Sequence, residues 1–430
     1  MMAGVPFRRV SQGLVGHAAL YILAAALNAA IPFLLLPLIA RWLGPADFGV
    51  IGSFVALVNV LVLLIGLNAY GFVGVGYYRD GADTLPRLVG AATLIILSAA
   101  VLTGIIVWAG ADAIGRLTGI DRAWLWTLVA AATGQAIIAI GLAVAQTIQR
   151  PAIYGAVQIG YGLTLAAGAV ALVGAFHMGW PGRALAQAIA ALGAAGGVLL
   201  WLRATGRMTI AVDRGMVVRA LEFGIPLLPH SFAAVAMGSM DRLALNGDFS
   251  PAVVGQYFLA LQISSIFTAF AAAVNQAWLP WLYARLARND AAAWAEIRHV
   301  VQIGGILLIV GALSMAVLAN VLIAIVGGEA FAPAVWPLRI LAFYAALQSW
   351  YTLMSAFLFY AKKPKLLSTL TVLSAVIQAL MIVLLVRWGA VGISTALVAT
   401  AAASAVAMSV VVQRYARRHR SAGPVAATAA

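Results

Sequence analysis

The chain has 430 residues, of which 64% are hydrophobic and 9% charged, with a formal net charge of +14. A soluble domain carries roughly 25% charged and about 45–50% apolar residues, so a soluble globular chain is excluded, because it could not cover its own core. The composition is that of an all-α polytopic membrane protein, with the basic excess read as an orientation signal rather than as a nucleic-acid footprint; without cysteine it has no disulfide, thiol nucleophile or thiolate metal site.

A membrane-spanning helix needs about 20 apolar residues. Twelve such stretches follow one another: 13–40, 47–70, 88–110, 124–147, 153–175, 183–202, 219–245, 252–280, 300–325, 334–359, 366–386 and 389–412. The first follows Arg8 and Arg9. It is too long for the apolar core of a cleaved signal, so it reads as an uncleaved span. Pro45 opens the second, where a missing N–H costs nothing. In the fifth, Tyr154, Gln158 and Tyr161 share one face. The sixth, "ALAQAIAALGAAGG", is built of small residues and predicts tight helix packing. Pro226 and Pro229 predict a kink or loosening early in the seventh. Gly327-Gly328-Glu329 and Pro333 form the turn between the ninth and tenth. In the tenth, Tyr344, Gln348, Tyr351 or Thr352, and Ser355 form a second polar stripe. Aromatic and amide groups on one face suit sugar rings and hydroxyls, and suit interhelical hydrogen bonds equally.

The charges set the sides. Nineteen Lys and Arg fall in alternate hydrophilic breaks, starting from the N-terminal tail, and five fall in the others. That asymmetry predicts both termini in the cytoplasm. The tail 413–430, with "RYARRHR", reads as a basic cytoplasmic anchor. The chain also repeats. At an offset of 206, Pro45, Ala46 and Gly49 match Pro251, Ala252 and Gly255, and Tyr77 and Arg79 match Tyr283 and Arg285. Gly49 and Gly255 predict close helix approach. Six spans per repeat is an even number, so the expected architecture is two pseudo-symmetric six-helix bundles, 1–202 and 219–412. They would stand around a central cleft and be joined by a cytoplasmic linker at 203–218.

Asp241 and Arg242 fall inside the seventh span. Helix neighbours point about 100° apart, which predicts that the two do not neutralise each other. Two readings follow. At the rim, Arg242 would snorkel to headgroups and Asp241 would be hydrated. In a cleft, one charge would face the path, since ionisable groups inside membranes usually line cavities. On a continuous helix, His230 and Asp241 are about 20° of arc apart, and a His–Asp face suits ion coupling. Arg242 suits an anionic headgroup.

The segment "PLIARWLGPADFGVIGSFVALVNVLVLLIGLNAYGFVGVGYYRD" resembles the start of the polysaccharide transporter family, which includes the O-antigen flippases of the multidrug/oligosaccharidyl-lipid/polysaccharide superfamily. Arg41, Leu43, Gly44, Pro45, Phe48 and Gly49 carry the turn. "FGIPLLPHSFAAVAMGSMDRLALNGDFSPAVVGQYFLA" resembles the family again, through Gly224, Pro226, Pro229, Asp241, Arg242, Leu245, Val254, Gly255 and Tyr257. The resemblance implies a flippase, with no catalytic residues and no cofactor. It would move a polyprenyl-diphosphate-linked oligosaccharide across a bacterial inner membrane by alternating access. The candidate substrate contacts are Arg242, Tyr344, Gln348, Tyr351, Tyr154, Gln158 and Tyr161, and the candidate ion-coupling residues are Asp241 and His230. The expected partners are the lipid-linked glycan, membrane lipid, a coupling H+ or Na+, and polysaccharide assembly proteins. Two rivals stand beside it. A cation-coupled exporter of the same superfamily often carries an acid in its first helix, where this chain has Asn28. A polysaccharide polymerase or ligase commonly carries a large outer loop, and here the breaks between spans are short. The five histidines show no metal-binding spacing and there is no phosphate-binding P-loop.

Overall fold

The computed structural model describes residues 7–211, 213–288, 290–361 and 363–421, with side chains from residue 31 onward except those of 230, 364, 365 and 418–421. The described residues form helices and turns, with no strand among them. The helices are α1 (Phe7–Gly66), α2 (Ala69–Asp80), α3 (Leu85–Ala109), α4 (Ala111–Thr118), α5 (Leu125–Thr147), α6 (Pro151–Ala169), α7 (Gly179–Ala204), α8 (Arg214–Met237), α9 (Met240–Asp248), α10 (Pro251–Arg288), α11 (Ala291–Val317), α12 (Ala319–Val326), α13 (Val335–Tyr360), α14 (Pro364–Leu385) and α15 (Gly389–Ser421).

The chain is a multi-pass membrane protein. Among the described residues nine helices are long and apolar enough to span a bilayer, or ten if the bent α8 counts as one. The expected count of twelve is not returned as such, for a geometric reason. Ile31–Gly66 and Leu366–Arg417 each run on through a turn. One turns at Gly44, φ 69°, and the other at Gly389, φ 63°. Leu366–Arg417 therefore holds two of the expected stretches, and Ile31–Gly66 holds most of the second with the last ten residues of the first. Both φ values are open to glycine at no steric cost.

By packing, the chain falls into two compact units, Met1–Leu43 with Val50–Ser239, and Gly44–Gly49 with Met240–Ala430. In the first, α5 and α7 meet through small residues. A Cβ at Gly134 would stand 2.5 Å from the Ala191 backbone, and one at Gly141 would stand 2.5 Å from Val198 Cγ1. Both contacts advance by seven residues on each helix. The two helices therefore run parallel along a seam that repeats every two turns, and α6 returns the chain between them. This is the tight packing that the small-residue run predicts.

The seventh expected span, α8, packs in this first unit rather than with the helices that follow it. By packing, the first unit runs on to Ser239, past the expected linker 203–218. Specific bonds hold it there. Leu67 and Asn68 take the left-handed conformation, at φ 43° and 55°, and present Asn68 to α8. Its Nδ2 donates to the Gly224 carbonyl at 3.4 Å, and its Oδ1 accepts from Ser231 Oγ at 3.1 Å. A Cβ at Gly224 would overlap the Leu67 carbonyl oxygen. Arg219 pairs with Asp80, and Phe223 meets Phe72 at 6.1 Å. The linker itself is tied down, with Thr209 N donating to the Pro86 carbonyl at 3.1 Å. The predicted proline kink is present as a bend of 43° between Arg214–Pro229 and Ser231–Met237.

In the second unit, α14 and α15 form an antiparallel hairpin about Gly389. Ser374 and Ser404, each fifteen residues from that glycine, share a hydrogen bond of 2.7 Å. The core gathers Trp278, Leu282, Leu286, Trp294, Ile297, Phe357 and Met408. Trp278 Nε1 donates to the Leu353 carbonyl at 3.0 Å, tying α10 to α13. At the turn between α10 and α11, Asp290 caps the new helix by accepting from Ala293 N at 2.6 Å. That backbone bond, and then the Arg288 guanidinium, hold the Asp290 carboxyl below the usual range.

Candidate functional site

α8 stops at Met237, and Gly238 and Ser239 turn the chain before α9 begins at Met240. Asp241 thus sits in the first turn of a new helix, where a carboxylate is favoured by the exposed N–H groups. The shared face expected of His230 and Asp241 assumed one continuous helix, and α8 ends between the two residues. The side chain of His230 lies outside the described residues.

Asp241 is 3% exposed and Arg242 5%. Neither is a rim group, so the snorkelling reading fails. The two also pair with each other, against the expectation from their 100° separation. Arg242 Nε donates to Asp241 Oδ1 at 3.3 Å. The reason is energetic. An isolated buried charge is very costly, and the flexible arginine stem is long enough to fold back along its own helix. The other carboxylate oxygen, Oδ2, accepts from Tyr257 Oη on α10 at 2.5 Å. Tyr257 is fully buried. The Arg242 guanidinium lies over the Phe258 ring at 5.5 Å. Two helices of the second unit, α9 and α10, thus meet at one buried, charge-compensated cluster.

The tenth-span stripe does not converge there as a whole. Tyr344 and Tyr351 stand two turns apart on α13, and Tyr351 bonds Thr371 of α14 at 3.4 Å. Gln348 lies between them on the same face, half-buried. In the first unit, Gln158 Nε2 donates to Tyr154 Oη at 3.1 Å along α6. On α7, Arg183 Nη1 donates to Gln187 Oε1 at 3.1 Å. A cavity of about 420 Å3 in that unit is lined by Asn59, Asn68, Tyr70 and Ser231 among apolar groups.

Sequence reasoning does not name Tyr257, Arg183 or Gln187 as site residues. Tyr257 carries a signal in the "V-G-x-Y" motif. Arg183 and Gln187 carry only their i, i+4 spacing. The asparagines carry none that separates them from the others in the chain.

Residues 38–336 match the family model described as "Polysaccharide biosynthesis protein". A protein of the Lsg locus of Haemophilus influenzae is 22% identical over 377 residues, 85% of this chain and 90% of that protein. An uncharacterized membrane protein of the same organism is 24% identical over 283 residues, 64% and 67% of the two chains. The fold is shared with an inward-facing multidrug resistance MATE family transporter of the MOP superfamily, at a TM-score of 0.74, 14% identity, and 93% and 99% of the two chains. It is shared equally with the lipid II flippase MurJ, inward closed, at a TM-score of 0.74, 10% identity, and 94% and 90% coverage.

Proposed function

The chain belongs to the polysaccharide biosynthesis protein family, and from that premise we propose that it is a flippase for a polyprenyl-diphosphate-linked oligosaccharide. It acts in a bacterial inner membrane, with both termini in the cytoplasm, and moves the glycan to the outer leaflet by alternating access. The observation that carries this reading is the family match across 38–336. The fold shared with the lipid II flippase supports it.

Within this reading Arg242, Tyr344, Gln348, Tyr351, Tyr154, Gln158 and Tyr161 are the candidate contacts to the glycan and its diphosphate. Asp241, with His230, is the candidate for coupling to H+ or Na+. In the described arrangement Arg242 is committed to Asp241 and covered by Phe258. It meets a diphosphate only when that pair opens. Substrate arrival and release of the Asp241 carboxylate are therefore one event, which is how a coupling device works: two ligands bias the same two-state element.

The rival with an observation behind it is a multidrug-type exporter, since the fold is shared equally with a MATE transporter. The test is chemical. Incubated with a defined lipid-linked glycan, the purified protein is expected to leave the glycan's mass unchanged and to be thermally stabilised by it, and not by lipophilic cations. A product of altered mass dependent on this chain alone points to a polymerase or ligase, and stabilisation by the cations alone points to the exporter.

A further inference from the structure

A groove of about 290 Å3 opens in the second unit between α11, α13 and α15. Its floor is apolar, with Met354 and Phe357 buried. The Trp350 N–H there is held by Ser409 Oγ at 2.8 Å. Its rim carries Arg298 and Arg417, both exposed, and the amides of Gln302 and Gln413. Arg298 stands just before the apolar stretch 300–325 and Arg417 five residues after the stretch 389–412, so both lie at headgroup level rather than mid-bilayer. The neighbouring acid on α11, Glu296, is taken by Arg285 at 3.0 Å and Arg288 at 3.5 Å. The rim is therefore net positive.

We propose that this groove binds an anionic phospholipid of the surrounding bilayer. Two guanidiniums grip a phosphodiester by charge-assisted bonds, and the two amides reach its remaining oxygens or the glycerol hydroxyls. The apolar floor takes the first methylenes of an acyl chain, and tryptophan is the side chain that favours this depth. Basic pockets between spanning helices are matched to anionic headgroups. A choline headgroup brings its own cation against the arginine pair, so the site discriminates by charge. The proposal rests on the chain's membrane-spanning character and not on what it transports.

The test uses the full chain, delipidated in detergent and titrated with phosphatidylglycerol or phosphatidylcholine, with retained lipid read by native mass spectrometry. The wild type is expected to hold phosphatidylglycerol roughly tenfold more strongly than phosphatidylcholine. Arg298→Gln with Arg417→Gln removes that preference, Arg298→Gln alone reduces it, and Arg387→Gln, at the other end of α15, keeps it. Both rim arginines are exposed, so the variants fold; unchanged melting without lipid verifies this. Glycerol 3-phosphate in excess is expected to leave the bound lipid in place. Equal retention of the two lipids by the wild type, an unchanged preference in the double variant, or displacement by glycerol 3-phosphate would overturn the proposal.

Discussion

Gly49 and Gly255 each press against the other's helix at backbone distance. A Cβ on Gly49 would overlap the Pro251 carbonyl oxygen, and a Cβ on Gly255 would overlap the Pro45 carbonyl oxygen. The four residues are the two copies of one motif, 206 positions apart. The weak sequence repeat thus has a physical counterpart at the point where its copies touch.

Either glycine changed to alanine is therefore expected to cost about 1–3 kcal/mol by overpacking. The measurement is thermal melting in detergent. The double variant is expected to cost less than the sum, because the first Cβ already parts the helices. Gly304→Ala, which meets nothing within 4 Å, serves as the control and should melt with the wild type.

The Asp241–Arg242 pair makes a sharper forecast. Both are buried, so Arg242→Ala leaves a carboxylate with Tyr257 as its one remaining named partner. The loss is expected to be about 3–5 kcal/mol, the usual result of removing one member of a buried pair. Asp241→Asn with Arg242→Gln together should cost less than either charge-removing variant added to the other, as a double-mutant cycle will show. Tyr257→Phe removes one bond to the carboxylate and should cost about 1–2 kcal/mol. Wild-type melting in all of these variants would contradict the buried cluster.

Much of the helical layout is legible in the sequence, because a bilayer demands apolar runs of fixed length and the turns between them are marked by glycine. The proline bend of α8 and the close approach at Gly49 and Gly255 are legible for similar local reasons. What is not legible depends on partners remote in the chain. Asp241 finds Tyr257 sixteen residues on, in another helix. The placement of α8 in the first unit rests on residues far back in the chain: Asn68 bonds Gly224 and Ser231, Asp80 pairs with Arg219 and Phe72 meets Phe223. The self-pairing of Asp241 and Arg242 defeats a rule drawn from exposed helices, where neither charge has reason to fold back.

The orientation is tested by accessibility. The chain has no cysteine, so single cysteines report without background. Cysteines replacing Arg150 and Lys363 are expected to be shielded from an impermeant maleimide in intact cells, and those replacing Arg116, Pro181 and Gly328 to be labelled. A shielded position 328 would break the alternation on which the even span count depends.

The most direct test of the flippase reading is leaflet transfer. The purified chain is reconstituted into liposomes that carry a polyprenyl-diphosphate-linked oligosaccharide, and an impermeant glycosidase or lectin reports the fraction on the outer surface over time. The account predicts that the protein speeds equilibration of the glycan between leaflets well above protein-free liposomes while leaving its mass unchanged, and that Arg242→Lys is slower per folded molecule. Equilibration at the protein-free rate, with the chain folded and oriented in the bilayer, would contradict it.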